Sequence, residues 1–291
     1  MRNFDYAAPT SLAEAASLLA RAPGTARVLA GGTDLLVQLR ERLREADLVV
    51  DVKRIPELTT LAYSPSTGLQ LGASVPCYRI YDDETLSAAY PALADAARIV
   101  GGWQIQSRAS VGGNLCNASP AGDTIAPLVA LAARCQIQGI DGGREVAAAD
   151  FCTGPGRQVL QRGELLVALH LPPPTAHSGS AYQRFIPRNE MDIAVAGAAS
   201  WVQLDPTGQT IVAARVALSA VAPVVRLAQE ASEWLAGQPA TEATFAAAGQ
   251  RARLAASPIS DMRGTAEFRL HLVGVLVQRT LAEAVARARG K

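Results

Sequence analysis

The segment VGGNLCNASPAGD occupies residues 111–123 and follows Ser110 in a chain that is otherwise rich in alanine and leucine. A second segment of similar construction, VLAGGTDL, occupies residues 28–35. Each segment places two consecutive glycines after a predicted extended stretch and before a predicted helix. We call residues 28–35 the first glycine loop and residues 110–123 the second glycine loop. Small polar residues in both places leave much backbone free to meet a ligand.

The composition of the two loops favours the binding of an anion. Glycine lets backbone N–H groups approach a ligand closely, and a helix start adds unpaired N–H groups and a partial positive charge. Together these features form a phosphate cradle that needs no lysine. Each loop alone is equally consistent with a tight turn, but the pair, rich in Thr, Ser and Asn, weakens that alternative. Neither G-x-G-x-x-G nor G-x-x-x-x-G-K-[ST] occurs, so a bound dinucleotide would be held by neither a Rossmann nor a P-loop motif.

Periodicity around the first glycine loop predicts a unit of strand, glycine turn, helix and strand. Ser11 and Glu14 form a capping box, and the helix that follows stops at Gly24. The other predicted elements of this unit are a strand at 26–30, a helix at 35–43 and a strand at 48–52.

The remainder of the chain mixes strands and helices. Alternating apolar residues predict hairpins, and prolines mark two helix starts. The best linker candidate is 172–174 together with 177–180. The predicted strands are 59–63, 69–73, 134–138, 165–171, 193–204 and 211–219, with a turn at 141–143. The predicted helices are 76–89, 91–100, 124–133, 225–236, 242–256 and 268–288.

Composition excludes several classes of function. The chain carries 27 Lys and Arg against 26 Asp and Glu, a formal net charge of +1, so nucleic acid is not an expected partner. No apolar run approaches the ~18 residues that a membrane span requires. The first residues lack the apolar core of a signal peptide, and we therefore expect a cytoplasmic protein.

The cysteines and histidines do not predict a metal site. Cys77, Cys116, Cys135 and Cys152 contain no C-x-x-C pair and are expected to be buried or loop thiols. The three histidines are scattered and lack the context of a metal-binding helix. We therefore expect no metal in this chain.

With AGGTDL at 30–35 and VGGNxxNASPAGD at 111–123, the chain resembles the FAD-binding medium subunits of the molybdenum hydroxylases. It is most similar to the separate FAD subunit of bacterial three-subunit xanthine dehydrogenases. The similarity continues in order through nearly the whole chain. Its further motifs are FCTGPG at 151–156, ELLV at 164–167, RNEMDIA at 188–194 and EFRLHL at 267–272.

The resemblance implies an α+β fold. It predicts a FAD-binding domain of the vanillyl-alcohol-oxidase (PCMH) type over residues 1–176, in which two α/β subdomains, about 1–55 and 56–176, clasp an extended FAD. A C-terminal α/β domain follows at 177–291, with a three-stranded antiparallel sheet and helices.

The resemblance also implies a set of FAD contacts. The first glycine loop would hold the pyrophosphate through backbone N–H groups, Thr33 and Asp34 would add side-chain contacts or a helix cap, and the start of the second loop would continue the cradle. The predicted contacts are Val28, Leu29, Ala30, Gly31, Gly32, Thr33, Asp34, Leu35, Ser110, Val111, Gly112, Gly113, Asn114, Asp123, Leu166 and Arg184.

Four positions keep a structural alternative beside the role that the family implies. Asp123 would hold a ribose or ribityl hydroxyl, or cap the helix after it. Leu166 would pack against the adenine or flavin, or simply fill a core. Arg184 would place a cation near the flavin, or lie solvated on an edge strand. Asp192, in a loop at 187–192 that covers the flavin in the family, would bond flavin or cap a strand end.

The implied function is electron transfer. Electrons would pass from molybdenum through [2Fe–2S] clusters of a small partner subunit to FAD here, and then to NAD⁺ or another acceptor. Molybdopterin would belong to a large partner subunit, and a dimer of heterotrimers is typical of the family. The cluster that some relatives carry in an inserted loop is not expected, because that insertion is missing here.

Three other interpretations remain at this point. The first is a stand-alone flavin-dependent oxidase, against which no histidine lies near either glycine loop to tether FAD. The second is a medium subunit of an aldehyde, carbon monoxide or N-heterocycle dehydrogenase. The third is an interaction protein that has lost its cofactor.

Overall fold

A computed structural model describes residues 2–188 and 191–290. Its first sheet contains β1 (Asp5–Ala7), β2 (Ala26–Leu29) and β3 (Leu48–Asp51) in the order β1-β3-β2, with parallel pairing throughout. Helices α1 (Leu12–Arg21) and α2 (Leu35–Arg40) accompany it. The predicted strand–turn–helix–strand unit is confirmed, whereas β1 was not predicted.

The capping box predicted before α1 is confirmed. The hydroxyl of Ser11 accepts the N–H of Glu14 at 3.3 Å, and the Glu14 carboxylate accepts the N–H of Thr10 at 3.1 Å. The Ser11 bond satisfies an N–H group that the helix start leaves unpaired, while Glu14 reaches back to the residue before the N-cap.

The second sheet is antiparallel and has the order β4-β5-β10-β6-β7. The predicted hairpin and the two predicted strands are present, but Gly142 begins an additional strand where a turn alone was expected. The strands are β4 (Leu61–Ser64), β5 (Gly68–Gly72), β6 (Arg134–Gly139), β7 (Gly142–Ala147) and β10 (Leu165–Leu171), with a separate ribbon of β8 (Cys152–Gly154) and β9 (Arg157–Gln158).

Short helices connect these strands. The continuous helix predicted at 76–89 is wrong, because Asp83 accepts the N–H groups of Thr85 and Leu86 and so starts a new helix. The helices are α3 (Pro56–Thr59), α4 (Tyr78–Tyr81), α5 (Glu84–Ala89), α6 (Pro91–Ala97), α7 (Trp103–Gln106), α8 (Val111–Asn117), α9 (Ile125–Ala130) and α10 (Ala148–Phe151).

The last part of the chain forms a third large sheet with helices. Its three long strands, β11 (Ser178–Phe185), β12 (Ala196–Leu204) and β13 (Ile211–Ser219), are antiparallel, and a two-residue strand, β14 (Arg226–Leu227), adds a fourth to the predicted three. Strand β11 also occupies most of the stretch 177–180 that was predicted as linker. The helices are α11 (Gln229–Leu235), α12 (Glu242–Ala252), a 3₁₀ turn (Arg253–Ala255) and α13 (Ala266–Ala288).

Two large hydrophobic cores and one small cluster hold these layers together. The larger core lies among the first two sheets and the helices up to α10, and it extends to Tyr182, Ala199 and Ala217 of the third sheet. The smaller core lies between the third sheet and α11–α13, and the small cluster contains Leu39, Ala46 and Val49. Helix α6 packs on β11, and α9 packs on β12 and β13, so the two parts meet directly. Within the described ranges, no helix combines the length and hydropathy needed to cross a bilayer.

Candidate functional site

The fold brings the first glycine loop into contact with the segment that leads into the second glycine loop. A side chain at Gly31 would overlap the carbonyl oxygen of Arg108 and lie 2.5 Å from its carbonyl carbon, two residues before the second loop begins. Behind the loops, the Gln38 amide donates to the side-chain oxygen of Asn117 at 3.0 Å, joining α2 to α8. Glycine at position 31 is therefore required for the close approach of the two backbones.

The start of the second glycine loop is itself helical, which corrects the prediction that a helix begins only after it. Ser110 is extended and caps α8, because its hydroxyl accepts the N–H of Gly113 at 3.0 Å. A side chain at Gly112 would lie 2.5 Å from the carbonyl oxygen of Ala73. The space freed at Gly31 and Gly112 is thus filled by neighbouring backbone.

Unpaired backbone N–H groups remain at both loops. Helix α2 has no side-chain cap, and in the described part of the chain the N–H groups of Gly31–Asp34 have no protein acceptor. At the second loop, Ser110 satisfies Gly113, and the antiparallel bridge between Pro76 and Ser110 directs the N–H of Val111 to the carbonyl of Val75, so Gly112 is left without an acceptor among the described residues. Because α2 and α8 have only six and seven residues, these N–H groups, more than a long helix dipole, would attract an anion.

Lys53 adds a cation that the sequence interpretation missed. Its ammonium group donates to the carbonyl oxygen of Ala30 at 3.1 Å and pairs with Asp51 at 2.7 Å. Burial alone would raise the pKa of Asp51, but hydrogen bonds from Lys53 and Tyr6 outweigh burial and hold this pKa below its usual range. The carboxyl ends of the parallel strands β2 and β3 meet at one edge of the sheet. Because ligands tend to bind at that edge, Lys53, which follows β3, could have been predicted from the sequence.

The predicted contacts Asp123 and Arg184 form a buried ion pair. Arg184, on β11, donates to Asp123 at 2.6 Å, and the side chains are only 7% and 10% exposed. Arg184 also donates to the carbonyl of Ile99 at 2.9 Å, and the Tyr182 hydroxyl donates to Asp123 at 3.2 Å. The alternative of a solvated Arg184 is therefore wrong. So is the alternative of Asp123 as a helix cap, because Thr124 occupies the N-cap position of α9.

Burial dominates the electrostatics of Asp123. It raises the pKa of this carboxyl, and the ion pair with Arg184 and the hydrogen bond from Tyr182 offset part of that rise. Asn114 fixes the residue that follows Asp123, since its side-chain oxygen accepts the hydroxyl of Thr124 at 2.8 Å and the backbone N–H of Thr124 at 3.3 Å. Asn114 and Asp123 are thus connected through Thr124.

The other predicted contacts lie around these two centres. Val28 and Leu29 end β2, Leu35 starts α2, and Val111 starts α8. Leu166 is 4% exposed and lies in the larger core opposite Ile137, which agrees with the alternative that it fills a core.

Thr33 and Asp34 lie at the surface of the first loop. No side chain caps α2, so the structure shows no capping bond from Asp34. The surrounding protein removes part of its hydration and raises the pKa of its carboxyl, while Arg44 acts in the opposite direction.

The loop at 187–192 is described in part. Asp192 pairs with Arg188 at 3.3 Å and accepts the N–H of the following residue, Ile193, at 2.8 Å. Asn189 and Glu190, which belong to the RNEMDIA motif, lie outside the described residues.

Three of the four thiols are neighbours in the fold, although they are distant in sequence. Burial, followed by the proximity of the other thiols, raises the pKa of Cys116 to about 12 and that of Cys135 still higher, while burial raises the pKa of Cys152 to about 11. Within residues 2–188 and 191–290, no group of three or more His, Cys, Asp or Glu is arranged to hold a metal ion.

Residues 2–174 match the family described as the FAD binding domain in molybdopterin dehydrogenase. The chain belongs to this family. Residues 180–284 match a second family, the CO dehydrogenase flavoprotein C-terminal domain. The recognition of a FAD-binding medium subunit of the molybdenum hydroxylases is thereby confirmed, and with it the assignment as an oxidoreductase subunit.

Relatives support this membership over the full length. The chain is 34% identical to the putative xanthine dehydrogenase FAD-binding subunit of Escherichia coli K12, with 99% of each covered. It is 33% identical to the carbon monoxide dehydrogenase medium chain of Afipia carboxidovorans, covering 99% of this chain and 98% of that one. A carbon monoxide dehydrogenase structure from Hydrogenophaga pseudoflava superposes with a TM-score of 0.93 at 31% identity, covering 98% of both chains, which confirms the α+β fold.

Proposed function

We propose that this molybdopterin dehydrogenase family member binds FAD at the junction of the two glycine loops and carries electrons for partner subunits. The contact between Gly31 and the backbone of Arg108, with unpaired N–H groups on both sides, supports a single cradle for the diphosphate. Residues 28–35 and 110–114 would hold the two phosphates, and Lys53 would balance part of their charge. The donors present therefore fit the group that the family binds.

Asp123 and Arg184 would face the flavin half of the cofactor. Because a carboxylate repels a diphosphate, Asp123 would accept a ribose or ribityl hydroxyl. Arg184 would supply positive charge beside the ring. Leu166, which is buried in the larger core, would support the flavin ring through packing. When bound, FAD accepts electrons singly and releases them as a hydride, while the protein supplies position and electrostatics.

We further propose that the electrons come from [2Fe–2S] clusters of a small partner subunit, which receives them from a large molybdopterin subunit. The named relatives are subunits of xanthine and carbon monoxide dehydrogenases, which supports a multi-subunit complex. Exposed apolar side chains support a docking surface beside the site. Trp103 is 85% exposed, Met191 56% and Ile193 51%, and a side chain at Gly102 would lie 3.7 Å from the sulfur of Met191.

NAD⁺ is the proposed acceptor, and a dimer of heterotrimers is the proposed assembly. A cytoplasmic location fits the four unpaired cysteines. The substrate of the complex, a purine, an aldehyde, carbon monoxide or an N-heterocycle, would bind in a pocket on another chain. The proposed domain division is residues 1–176 and 177–291, and the smaller core lies wholly within the second part.

Anaerobic reduction of the purified, FAD-loaded chain tests this function. We expect NADH to bleach the flavin absorption without partner subunits, since hydride exchange needs only this chain. Purines should not bleach it unless the large and small subunits are added. Turnover of purines by the isolated chain would instead establish the stand-alone oxidase, and inertness toward NADH would exclude NAD⁺ as acceptor.

A further inference from the structure

Arg184, which donates to Asp123, belongs to a row of three residues on adjacent strands of the third sheet. In the strand register, Arg184 lies opposite Gly197, and Gly197 lies opposite Ser219. A side chain at Gly197 would overlap the Ser219 hydroxyl and lie 3.0 Å from the Tyr182 hydroxyl. The glycine therefore leaves the space in which Tyr182 reaches across to the FAD-binding part of the chain.

Tyr182 is well suited to donate and poorly suited to ionise. Its side chain is buried, with the residue 3% exposed, and burial followed by the nearby charge of Asp123 raises its pKa well above the ordinary value. Its hydroxyl donates to one oxygen of Asp123, and Arg184 donates to the other. Both carboxylate oxygens are thus fixed by one strand, β11.

We infer that Tyr182 is a positioning residue for FAD: its hydroxyl, together with Arg184, holds the Asp123 carboxylate ionised and in one orientation to accept a hydroxyl of the cofactor. This inference rests on the proposed function. It makes tight FAD binding depend on a strand of the C-terminal part. The groups that face Asp123 are Arg184 and Tyr182 from β11 and the buried thiol of Cys77 from the segment before α4.

A second ion pair between the same two parts of the chain provides a matched control. Arg287, on α13, pairs with Asp95, on α6, at 2.7 Å, and the same carboxylate accepts the backbone N–H of Tyr182. Arg287→Met therefore weakens the contact between the two parts without removing either side-chain donor to Asp123. Tyr81→Phe removes a phenol hydroxyl elsewhere, one that donates to Gln106 at 2.7 Å.

The test measures FAD affinity of the apo-chain by flavin fluorescence from pH 5 to pH 9. Wild type should lose affinity for FAD at acid pH as Asp123 takes up a proton, and we call this fall in affinity the acid limb. Tyr182→Phe should weaken FAD binding about tenfold at the pH where wild type begins to lose affinity, and move the acid limb upward by about one pH unit. Arg287→Met and Tyr81→Phe should leave the limb in place, even where they lower the melting temperature.

Other outcomes identify which step of the reasoning fails. A Tyr182→Phe chain with the wild-type limb, or an equal shift in Arg287→Met, overturns the inference. Asp123→Asn should remove the limb altogether, so a limb that persists in this variant also overturns it, even if Tyr182→Phe does not fold. A folded wild-type chain that takes up no FAD refutes the proposed function itself.

Discussion

Breaking the buried pair between Arg184 and Asp123 should destabilise the chain in a way that depends on pH. In Arg184→Met, the carboxylate of Asp123 keeps its buried place but loses the charge 2.6 Å away. Removing one partner of a buried pair typically costs about 3–5 kcal/mol, because the other charge is left uncompensated. At roughly 2 °C per kcal/mol for a chain of this size, the melting temperature at pH 8 should fall by about 6–10 °C.

The sign of the pH dependence follows from the direction of the pKa shift. Burial raises the pKa of Asp123, and the variant loses the main effect that opposes this rise. The pKa of the Asp123 carboxyl is about 3.9 in the unfolded chain and higher in the folded variant. The protonated carboxyl therefore contributes stability that is complete below the unfolded-state pKa and is lost as pH rises through the folded-state pKa. The deficit relative to wild type should therefore be smaller at pH 5 than at pH 8, and it should approach about 1–2 kcal/mol once the carboxyl is protonated, because the lost bond to Ile99 then dominates.

Scanning calorimetry of the apo-chain at pH 5 and pH 8 measures both quantities. Arg134→Met is a matched control, because its pair with Glu145 has the similar distance of 2.7 Å but is about half exposed, and its loss should cost less than about 1 kcal/mol. Arg184→Met combined with Asp123→Asn should recover stability at pH 8. Equal deficits at the two pH values, or no deficit at pH 8, would refute the reasoning.

Three further outcomes are expected. Gly31→Ala should lower the melting temperature by several degrees and abolish FAD uptake, because its methyl group overlaps the carbonyl of Arg108. Gly154→Ala is the control, since its methyl group would lie 3.8 Å from the nearest atom. Normal FAD uptake by Gly31→Ala would contradict the packing argument. Lys53→Met should weaken FAD binding up to about fivefold at low salt and less at high salt, measured by fluorescence titration, and an effect independent of salt would exclude an electrostatic role. Gly274→Ala, inside α13 with no atom closer than 3.7 Å, should stabilise the chain by about 0.5–1 kcal/mol in urea unfolding, and destabilisation would show that this helix position is more crowded than the structure indicates.

Local patterns predicted much of the fold. The capping box of α1, the hairpin of β4 and β5 and the long hairpin of β12 and β13 depend on neighbours in sequence, and all are present. Strand β1 escaped prediction because three residues carry little periodicity and depend on parallel pairing with β3. The break between α4 and α5 was missed although Asp83 carries a capping signal, since the apolar pattern continues across it.

The site was predicted as a set of residues but not as a set of contacts. Glycine spacing identified both loops, yet it could not show that Gly31 and Gly112 accommodate backbone from elsewhere in the fold. The Asp123–Arg184 pair joins residues 61 positions apart, so neither sequence neighbourhood indicates the other. Tyr182 and Lys53 carried no motif of their own, and only the packing of strands placed them beside the site.

Comparing FAD with riboflavin as ligands of the purified apo-chain tests the two-loop cradle most directly, because riboflavin has the flavin ring and ribityl chain but lacks the diphosphate and the adenosine attached to it. Stoichiometric uptake of FAD at micromolar concentration, with riboflavin bound at least a hundredfold more weakly (roughly 2.7 kcal/mol), is the result we expect. Equal affinity for both ligands, or no uptake of either by the folded chain, would contradict a site built on backbone N–H groups that hold phosphates.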